Sequence, residues 1–181
     1  MPQKTPKTYC ENIAKMSEDN HNRIYHDNHY GFAITDDNEL FGRLILEINQ
    51  AGLSWTTIIK KQDNFRNAYS NFDIKKIAKY NNVDVERLLN DSGIIRNKLK
   101  ITAVIFNAKS ILSIKIKFKS FRFWLESNRG KNLDQWVDLF KKNFKFTGFE
   151  ITREFLISTA FMEGAHSKEC LIFNKIKKIN H

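Results

Sequence analysis

The sequence predicts an all-α protein, because apolar residues recur with a helical period and no clear alternating strand pattern competes. Proline stands only at positions 2 and 6, so none interrupts a helix in the middle of the chain. Hydrophobic residues make up 41% of the 181 residues and include 15 Phe, which is enough for one packed core. We therefore expect a single domain over residues 1–181, with residues 1–20 and 171–181 loosely ordered.

The chain carries 30 Lys and Arg against 20 Asp and Glu, a net charge of +10 at pH 7. A basic excess of this size favours a polyanionic partner such as nucleic acid. An AT-rich coding sequence would produce the same excess without any binding function, because Lys, Asn and Ile are abundant throughout. No apolar run approaches the ~18 residues of a membrane helix, and residues 1–15 lack an apolar signal-peptide segment. We therefore expect a cytoplasmic protein with no membrane partner.

Helical periodicity and capping residues predict eight helices, at residues 36–51, 54–69, 73–80, 84–91, 96–114, 118–127, 133–143 and 149–163. Asp36 followed by Glu39 fits a capping box at the start of the first helix. Asp73 and Asp84 are typical N-cap residues for the third and fourth helices. The basic segment 175–178 is expected to form a loose tail.

The segment 47–55 places a carboxylate where the helical pattern expects an apolar residue. Glu47 shares the apolar face of the predicted helix 36–51, so its side chain should point into the protein. Gly52 suits the left-handed residue that ends this helix, and Ser54 can cap the next one. The second helix carries Trp55 in its first turn, so the bend places a carboxylate and an indole on its two sides.

A carboxylate in this position must find a hydrogen-bond partner or take up a proton, because burying it unpaired costs on the order of several kcal/mol. A backbone amide, Arg43 or Arg66 would make Glu47 a purely structural residue. The alternative partner is a polar ligand that lies flat against Trp55. Spacing alone leaves both interpretations open, and the structural one is the more common in proteins.

A short turn ending in glycine, at residues 145–148, joins the last two predicted helices. Successive backbone N–H groups beside a helix N-terminus suit a phosphate oxygen. Glycine turns between helices are also common where nothing binds, so the turn by itself is weak evidence for a DNA contact.

Two cysteines and two histidines stand near opposite ends of the chain. His166 and Cys170 lie about one helical turn apart, and Cys10 and His26 are available from the N-terminal segment. Together they make the Cys2His2 set that zinc accepts as a closed tetrahedron. The interval between Cys10 and His26 is not that of a standard zinc finger, so from spacing alone four unrelated residues remain the simpler interpretation.

Several segments stand in a characteristic order: Tyr-His-Asp-Asn at 25–28, Gln-Ala-Gly-Leu-Ser-Trp at 50–55 after Glu47, Gly-Ile-Ile-Arg-Asn at 93–97, and finally His166 with Cys170. In these segments the chain resembles bacterial DNA-3-methyladenine glycosylase I. The resemblance runs from about residue 23 to residue 107 with few gaps, and it returns more faintly over residues 144–170.

This resemblance implies a compact helical glycosylase fold with a helix-hairpin-helix element. It also implies an enzyme that flips 3-methyladenine out of alkylated double-stranded DNA and hydrolyses its N-glycosidic bond. Glu47 matches the catalytic carboxylate that hydrogen-bonds the extruded base, and the aromatic residues Trp55, Tyr25 and Tyr30 match those lining the base pocket.

The resemblance further implies a zinc clasp that joins the N- and C-terminal segments. One structural Zn²⁺ would be held by the four residues Cys10, His26, His166 and Cys170. The backbone of the lesion strand would be contacted by Lys145, Thr147 and Gly148. A monomer is the expected state.

The chain departs from the family pattern at several positions. It has His29-Tyr30-Gly31 where the family usually has Glu-Trp-Gly, and it lacks the aromatic residue two positions after Cys10. Glu150 and Glu154 place negative charge beside the expected phosphate contact. These changes keep two alternatives open: a zinc-stapled helical DNA-binding module without excision activity, and a helical interaction protein with no nucleic-acid partner.

Overall fold

The computed structural model describes residues 9–179, which form α-helices and one 3-10 helix and contain no β-strand. The helices are Tyr9–Ile13 (α1), His21–Asn28 (α2), Asp37–Gln50 (α3), Trp55–Lys60 (α4), Gln62–Ala68 (α5), Ile74–Ile77 (α6), Asn82–Asn90 (α7), Lys98–Phe118 (α8), Phe121–Glu126 (α9), Leu133–Asn143 (α10), Phe149–Ser158 (α11) and Leu171–Ile179 (α12), with the 3-10 helix at Ser70–Phe72. The all-α prediction is confirmed for these residues.

The predicted helix boundaries agree best where a capping residue marks them. The helix expected at 133–143 is α10, which begins after Asn132 with a complete capping box. The helix expected at 54–69 is divided at Lys61 into α4 and α5. The one expected at 149–163 ends early, at Ser158, and two residues later Ala160 has a left-handed φ of 63°.

Two N-terminal caps differ from the prediction. Asn81, and not Asp84, caps α7: its side chain accepts from the Val83 amide at 2.8 Å, while Asp84 accepts from the Asn81 amide at 3.0 Å. Asp36 does cap α3, but Glu39 does not complete a capping box. Instead its carboxylate forms two hydrogen bonds of 2.7 Å with the guanidinium of Arg66.

Three helices lie outside the predicted set, namely α1, α2 and α12. The first two are short or polar and therefore carry little periodic signal. The last one covers residues 175–178, where the sequence predicts a loose tail, so that tail is helical as far as Ile179. Of the residues expected to be loosely ordered, 1–20 and 171–181, those at 1–8 and 180–181 lie outside the part of the chain that the structure describes.

Helix α3 lies at the centre of the hydrophobic core and packs against α4, α8, α9 and α11. Leu40, Leu44 and Ile48 on this helix are fully buried. Gly42 allows the close approach of the 3-10 helix, because a Cβ at this position would lie 2.3 Å from the ring of Phe72. Glu47, which is discussed below, therefore projects from a tightly packed helix.

Among residues 9–179, no helix combines the length and the apolar character needed to cross a membrane.

Candidate active site and metal cluster

Glu47 lies in the last turns of α3, and only 5% of its surface is exposed. The hydroxyl of Ser158, on α11, donates to its carboxylate at 3.4 Å. Arg66, which the sequence suggests as one possible partner of Glu47, instead forms two hydrogen bonds with Glu39. Arg43, the other suggested arginine, lies one turn before Glu47 and donates to the hydroxyl of Tyr25.

The environment of Glu47 favours its protonated form. Burial raises the pKa of the Glu47 carboxyl to about 8, the charge of Arg43 opposes this shift, and the charge of Glu154 adds to it. A cation placed beside Glu47 would reverse the effect, because it would stabilise the ionised carboxylate. Glu47 can therefore act as a neutral hydrogen-bond donor or, beside a cation, as a carboxylate.

An open cavity of about 600 Å³ adjoins Glu47, within the size range of small-molecule sites. It lies between the end of α3, with residues 50–52, and the start of α11, with residues 148–151 and Glu154. Glu47 is thus neither directed into bulk water nor sealed off from ligands.

The bend between α3 and α4 forms as the sequence predicts. Gly52 has a φ of 82°, and Ser54 caps α4 by accepting from the Thr57 amide. Helix α4 then packs back onto α3 and carries Trp55 into contact with Tyr25, with 5.0 Å between ring centroids. The indole Nε1 of Trp55 is buried and has no hydrogen-bond partner among the described residues.

The structure brings the three predicted aromatic residues together. The ring of Tyr25 lies 5.8 Å from that of Tyr30 and 5.0 Å from that of Trp55. Burial, with a contribution from the charge of Glu47, raises the pKa of both tyrosines. These three rings do not line the cavity described above. They are connected to it by the hydroxyl of Tyr30, which donates at 3.2 Å to the carboxylate of Glu154 on the cavity wall.

Three residues of this region are absent from the sequence-based candidates. Ser158 and Glu154 lie one turn apart on α11, and an i, i+4 spacing of polar residues within an apolar helix is the signal that would find them. Tyr9 packs edge-on against Tyr30 and His26, with centroid distances of 5.3 and 5.4 Å. Tyr9 thus supplies an aromatic ring from the position before Cys10. In the family pattern, the aromatic residue stands two positions after this cysteine.

The turn between α10 and α11 contains the three residues expected to contact DNA, and side chains of α8 donate hydrogen bonds to the backbone at its start. Lys145 and Gly148 are exposed, and the N-terminus of α11 has no side-chain cap. Thr147 differs from them because its side chain is buried and donates to the Phe144 carbonyl at 3.3 Å. Any contact that Thr147 makes with a ligand is therefore restricted to its backbone.

The predicted clasp residues Cys10, His26, His166 and Cys170 converge, with their ligand atoms all within 4.8 Å of one another. His166 Nδ1 lies 3.1 Å from His26 Nε2 and 3.5 Å from Cys170 Sγ, and Cys10 Sγ lies 3.8 Å from His166 Nδ1. A tetrahedral ion with Zn–N and Zn–S bonds of ~2.0–2.3 Å separates its ligand atoms by ~3.3–3.8 Å. The cluster therefore has the geometry to hold a metal ion.

The outer nitrogens of both histidines are also satisfied. His26 Nδ1 lies 2.6 Å from the carboxylate of Asp27, and His166 Nε2 lies 2.8 Å from the carbonyl of Tyr30. Metal-binding histidines characteristically use the second ring nitrogen in this way, which fixes the ring and its tautomer. The Tyr30 carbonyl also connects the cluster to the aromatic residues beside Glu47.

A family model for methyladenine glycosylases matches residues 15–173. The chain belongs to this family. It is 44% identical to DNA-3-methyladenine glycosylase 1 of Escherichia coli strain K12 over 104 residues, which is 58% of this chain and 56% of that protein. The matched segments span about half the length of the curated relatives.

Solved structures agree with this membership over most of the chain. A crystal structure of 3-methyladenine DNA glycosylase I has a TM-score of 0.78 at 34% identity and covers 87% of this chain and 96% of that one. A variant of 3-methyladenine DNA glycosylase I in complex with 3-methyladenine has the same TM-score at 27% identity, covering 86% and 94%. The helical fold is therefore that of the methyladenine glycosylases.

Proposed function

We propose that this protein is a DNA glycosylase that removes 3-methyladenine from alkylated double-stranded DNA. The observation that supports this most directly is the buried carboxylate of Glu47 on the wall of an open cavity, in a chain of the methyladenine glycosylase family. A stacked base cannot reach such a cavity, so the nucleotide must first rotate out of the duplex.

Glu47 would then recognise the base by charge. Methylation at N3 makes the base cationic, so it leaves readily, and recognition matters more than strong acid catalysis. As the cation approaches, Glu47 releases its proton to solvent and accepts a hydrogen bond from the exocyclic amino group of the base, the N–H donor that the glycosylated 3-methyladenine carries. Water attacks C1′ of the sugar, the bond from C1′ to N9 breaks with its electron pair going to the base, and the proton of the water passes to solvent.

Trp55, Tyr25 and Tyr30 would form the aromatic side of the base site. Stacking of a base on an aromatic ring contributes roughly 1–3 kcal/mol. In the structure these rings pack on one another, and Trp55 keeps an unpaired buried N–H. A bound base would therefore contact the edge of an existing aromatic cluster that Tyr30 connects to the cavity through Glu154.

We further propose that α10, residues 144–148 and α11 form the helix-hairpin-helix element. The exposed N-terminus of α11 at Gly148 would bind a phosphate of the lesion strand through backbone N–H groups, and Lys145 would add a charged contact. Thr147 would take part only through its backbone, because its side chain is buried.

The metal of the cluster is proposed to be one structural Zn²⁺ per chain. Two cysteine sulfurs and two histidine nitrogens are the ligands that zinc prefers in closed tetrahedral sites. Four protein ligands leave no position for water or substrate, so the ion would not take part in the excision chemistry. Its contribution would be to connect α1 and α2 with the segment before α12, within one glycosylase domain.

The proposal is tested by incubating the purified protein with methylated duplex DNA and separating the released bases by chromatography. Free 3-methyladenine, formed in proportion to enzyme and absent without it, is the expected result. Binding to the same DNA without release of any base would contradict the proposal and favour a zinc-stapled DNA-binding module.

A further inference from the structure

Glu154 provides a second carboxylate on the wall of the cavity that Glu47 lines. It projects from α11, across the cavity from the end of α3. One of its oxygens accepts the hydroxyl of Tyr30 at 3.2 Å, and the other accepts the guanidinium of Arg153 at 2.6 Å. Its position is therefore fixed before any ligand enters.

The neighbouring acidic residue of α11 differs in this respect. Glu150 also lines the cavity, but 79% of its side chain is exposed, against 35% for Glu154. Its ion pair with Arg153 is longer, at 3.9 Å. A mobile, solvated carboxylate contributes little to selectivity, whereas one held at a half-buried position acts on a ligand through a lower dielectric.

Helix α11 carries both Glu154 and Ser158, the residue whose side chain hydrogen-bonds to Glu47. Ser158 lies one turn beyond Glu154, and its hydroxyl donates to the Glu47 carboxylate at 3.4 Å. The two carboxylates therefore act on one another: burial is the main cause of the raised pKa of Glu47, and repulsion from the charge of Glu154 adds to it. A cationic ligand between them would relieve this repulsion, and a neutral ligand of the same shape would not.

We propose that Glu154 is a specificity-determining residue that makes the cavity select a cationic base over a neutral one. The inference deepens the proposed function and rests on it for the identity of the ligand, a purine carrying positive charge. Two cations oppose the effect, Arg153 beside Glu154 and Arg43 beside Glu47. Arg153 is 43% exposed, so solvent screens much of its charge. Arg43 is present in every protein compared below, so its charge does not alter the change in selectivity that replacing Glu154 produces.

The test measures equilibrium binding of two small probes to the whole protein by calorimetry. The first is 3,9-dimethyladeninium, which has a fixed positive charge and a methyl group in place of the sugar. The second is the neutral 9-methyladenine. The ratio of their dissociation constants is determined for the wild type, Glu154→Gln and the matched control Glu150→Gln.

We expect Glu154→Gln to reduce the preference for the cation by about tenfold, from the Coulomb energy of one half-buried charge. Glu150→Gln should leave the ratio unchanged. Denaturant unfolding of each variant is measured alongside, so that an equal loss of both affinities caused by misfolding is distinguished from an equal loss in a folded protein.

An equal loss of affinity for both probes in Glu154→Gln would overturn the inference, since Glu154 would then act only by holding Tyr30. An unchanged ratio would overturn it as well. In either case release of 3-methyladenine by the wild type would still support the proposed function. Conversely, a wild type that selects the cation through Glu154 but releases no base would refute excision and retain the inference.

Discussion

The side chain of Asn107 holds both backbone groups of Lys145. Its Nδ2 donates to the Lys145 carbonyl at 3.0 Å, and its Oδ1 accepts from the Lys145 amide at 2.7 Å. Asn107 is fully buried on α8, and one turn later Ser110 donates to the Asn143 carbonyl at 2.6 Å. The longest helix of the described chain thus determines the position of the turn that begins α11.

Replacing Asn107 should loosen this turn. Asn107→Ala removes both hydrogen bonds to the Lys145 backbone, which are partly shielded from water, so we expect the free energy of unfolding to fall by about 2 kcal/mol. The loss is measured by denaturant unfolding. DNA affinity should fall further than affinity for the free base, because the turn is the proposed phosphate contact.

A matched control is Asn90→Ala, since Asn90 is exposed and bonds only to the Glu86 carbonyl within its own helix. It should change stability by less than about 0.5 kcal/mol. Equal effects of the two substitutions would contradict the role assigned to Asn107.

Lys100 should stabilise the end of α3. Its ammonium group donates to the carbonyls of Asn49 and Ala51 at 2.9 and 2.7 Å, and burial lowers its pKa. Lys100→Met removes both bonds just before Gly52, so we expect a loss of about 1–3 kcal/mol in thermal or denaturant unfolding. Lys98→Met, at an exposed position two residues earlier, is the control and should be nearly neutral. The same loss in both variants would show that the two carbonyls do not depend on Lys100.

Because of Glu47, the free energy of unfolding should decrease as the pH rises from about 4.5 to about 8. Its pKa is raised to about 8 in the folded protein from a usual value of 4.5, so between these values the folded state binds more protons than the unfolded state. The contribution is therefore present at low pH and lost as pH rises towards 8, with a slope of at most about 1.4 kcal/mol per pH unit. Unfolding curves at several pH values should show this slope in the wild type and a smaller one in Glu47→Gln. Identical slopes would mean that Glu47 is not held protonated.

Binding of the proposed zinc ion should require His26. His26→Gln should lower the zinc content, measured by elemental analysis, from one ion per chain to well below one, and reduce the melting temperature. His21→Gln provides the control, because His21 is an exposed histidine on the same helix. A wild-type protein that contains no zinc, or a His26 variant that retains it with unchanged stability, would refute the clasp.

Local signals in the sequence locate one half of the site. Glu47 stands on an apolar helical face, Gly52 at a left-handed position and Ser54 at a cap, and each depends only on neighbours in the chain. The structure places all three as predicted. The spacing of the four Cys and His residues allows a metal site but does not specify that they meet, and the family resemblance is what predicts it.

The other half depends on contacts between distant segments. Ser158 reaches Glu47 across 111 residues of chain, and Glu154 reaches Tyr30 across 124. No local pattern encodes such pairs. The capping interaction predicted for Glu39 is wrong for the same reason. Its carboxylate forms a bidentate contact with Arg66, 27 residues away, in place of the cap that the local sequence suggests.

The central claim is that Glu47 recognises the cationic base during excision. Its most direct test is the single-turnover rate of 3-methyladenine release from duplex DNA by Glu47→Gln, compared with the wild type and with Glu86→Gln, the same change at an exposed position. We predict that Glu47→Gln lowers the rate at least about tenfold, the effect of losing a charged hydrogen bond, and that Glu86→Gln does not. Equal rates for all three proteins would contradict the claim.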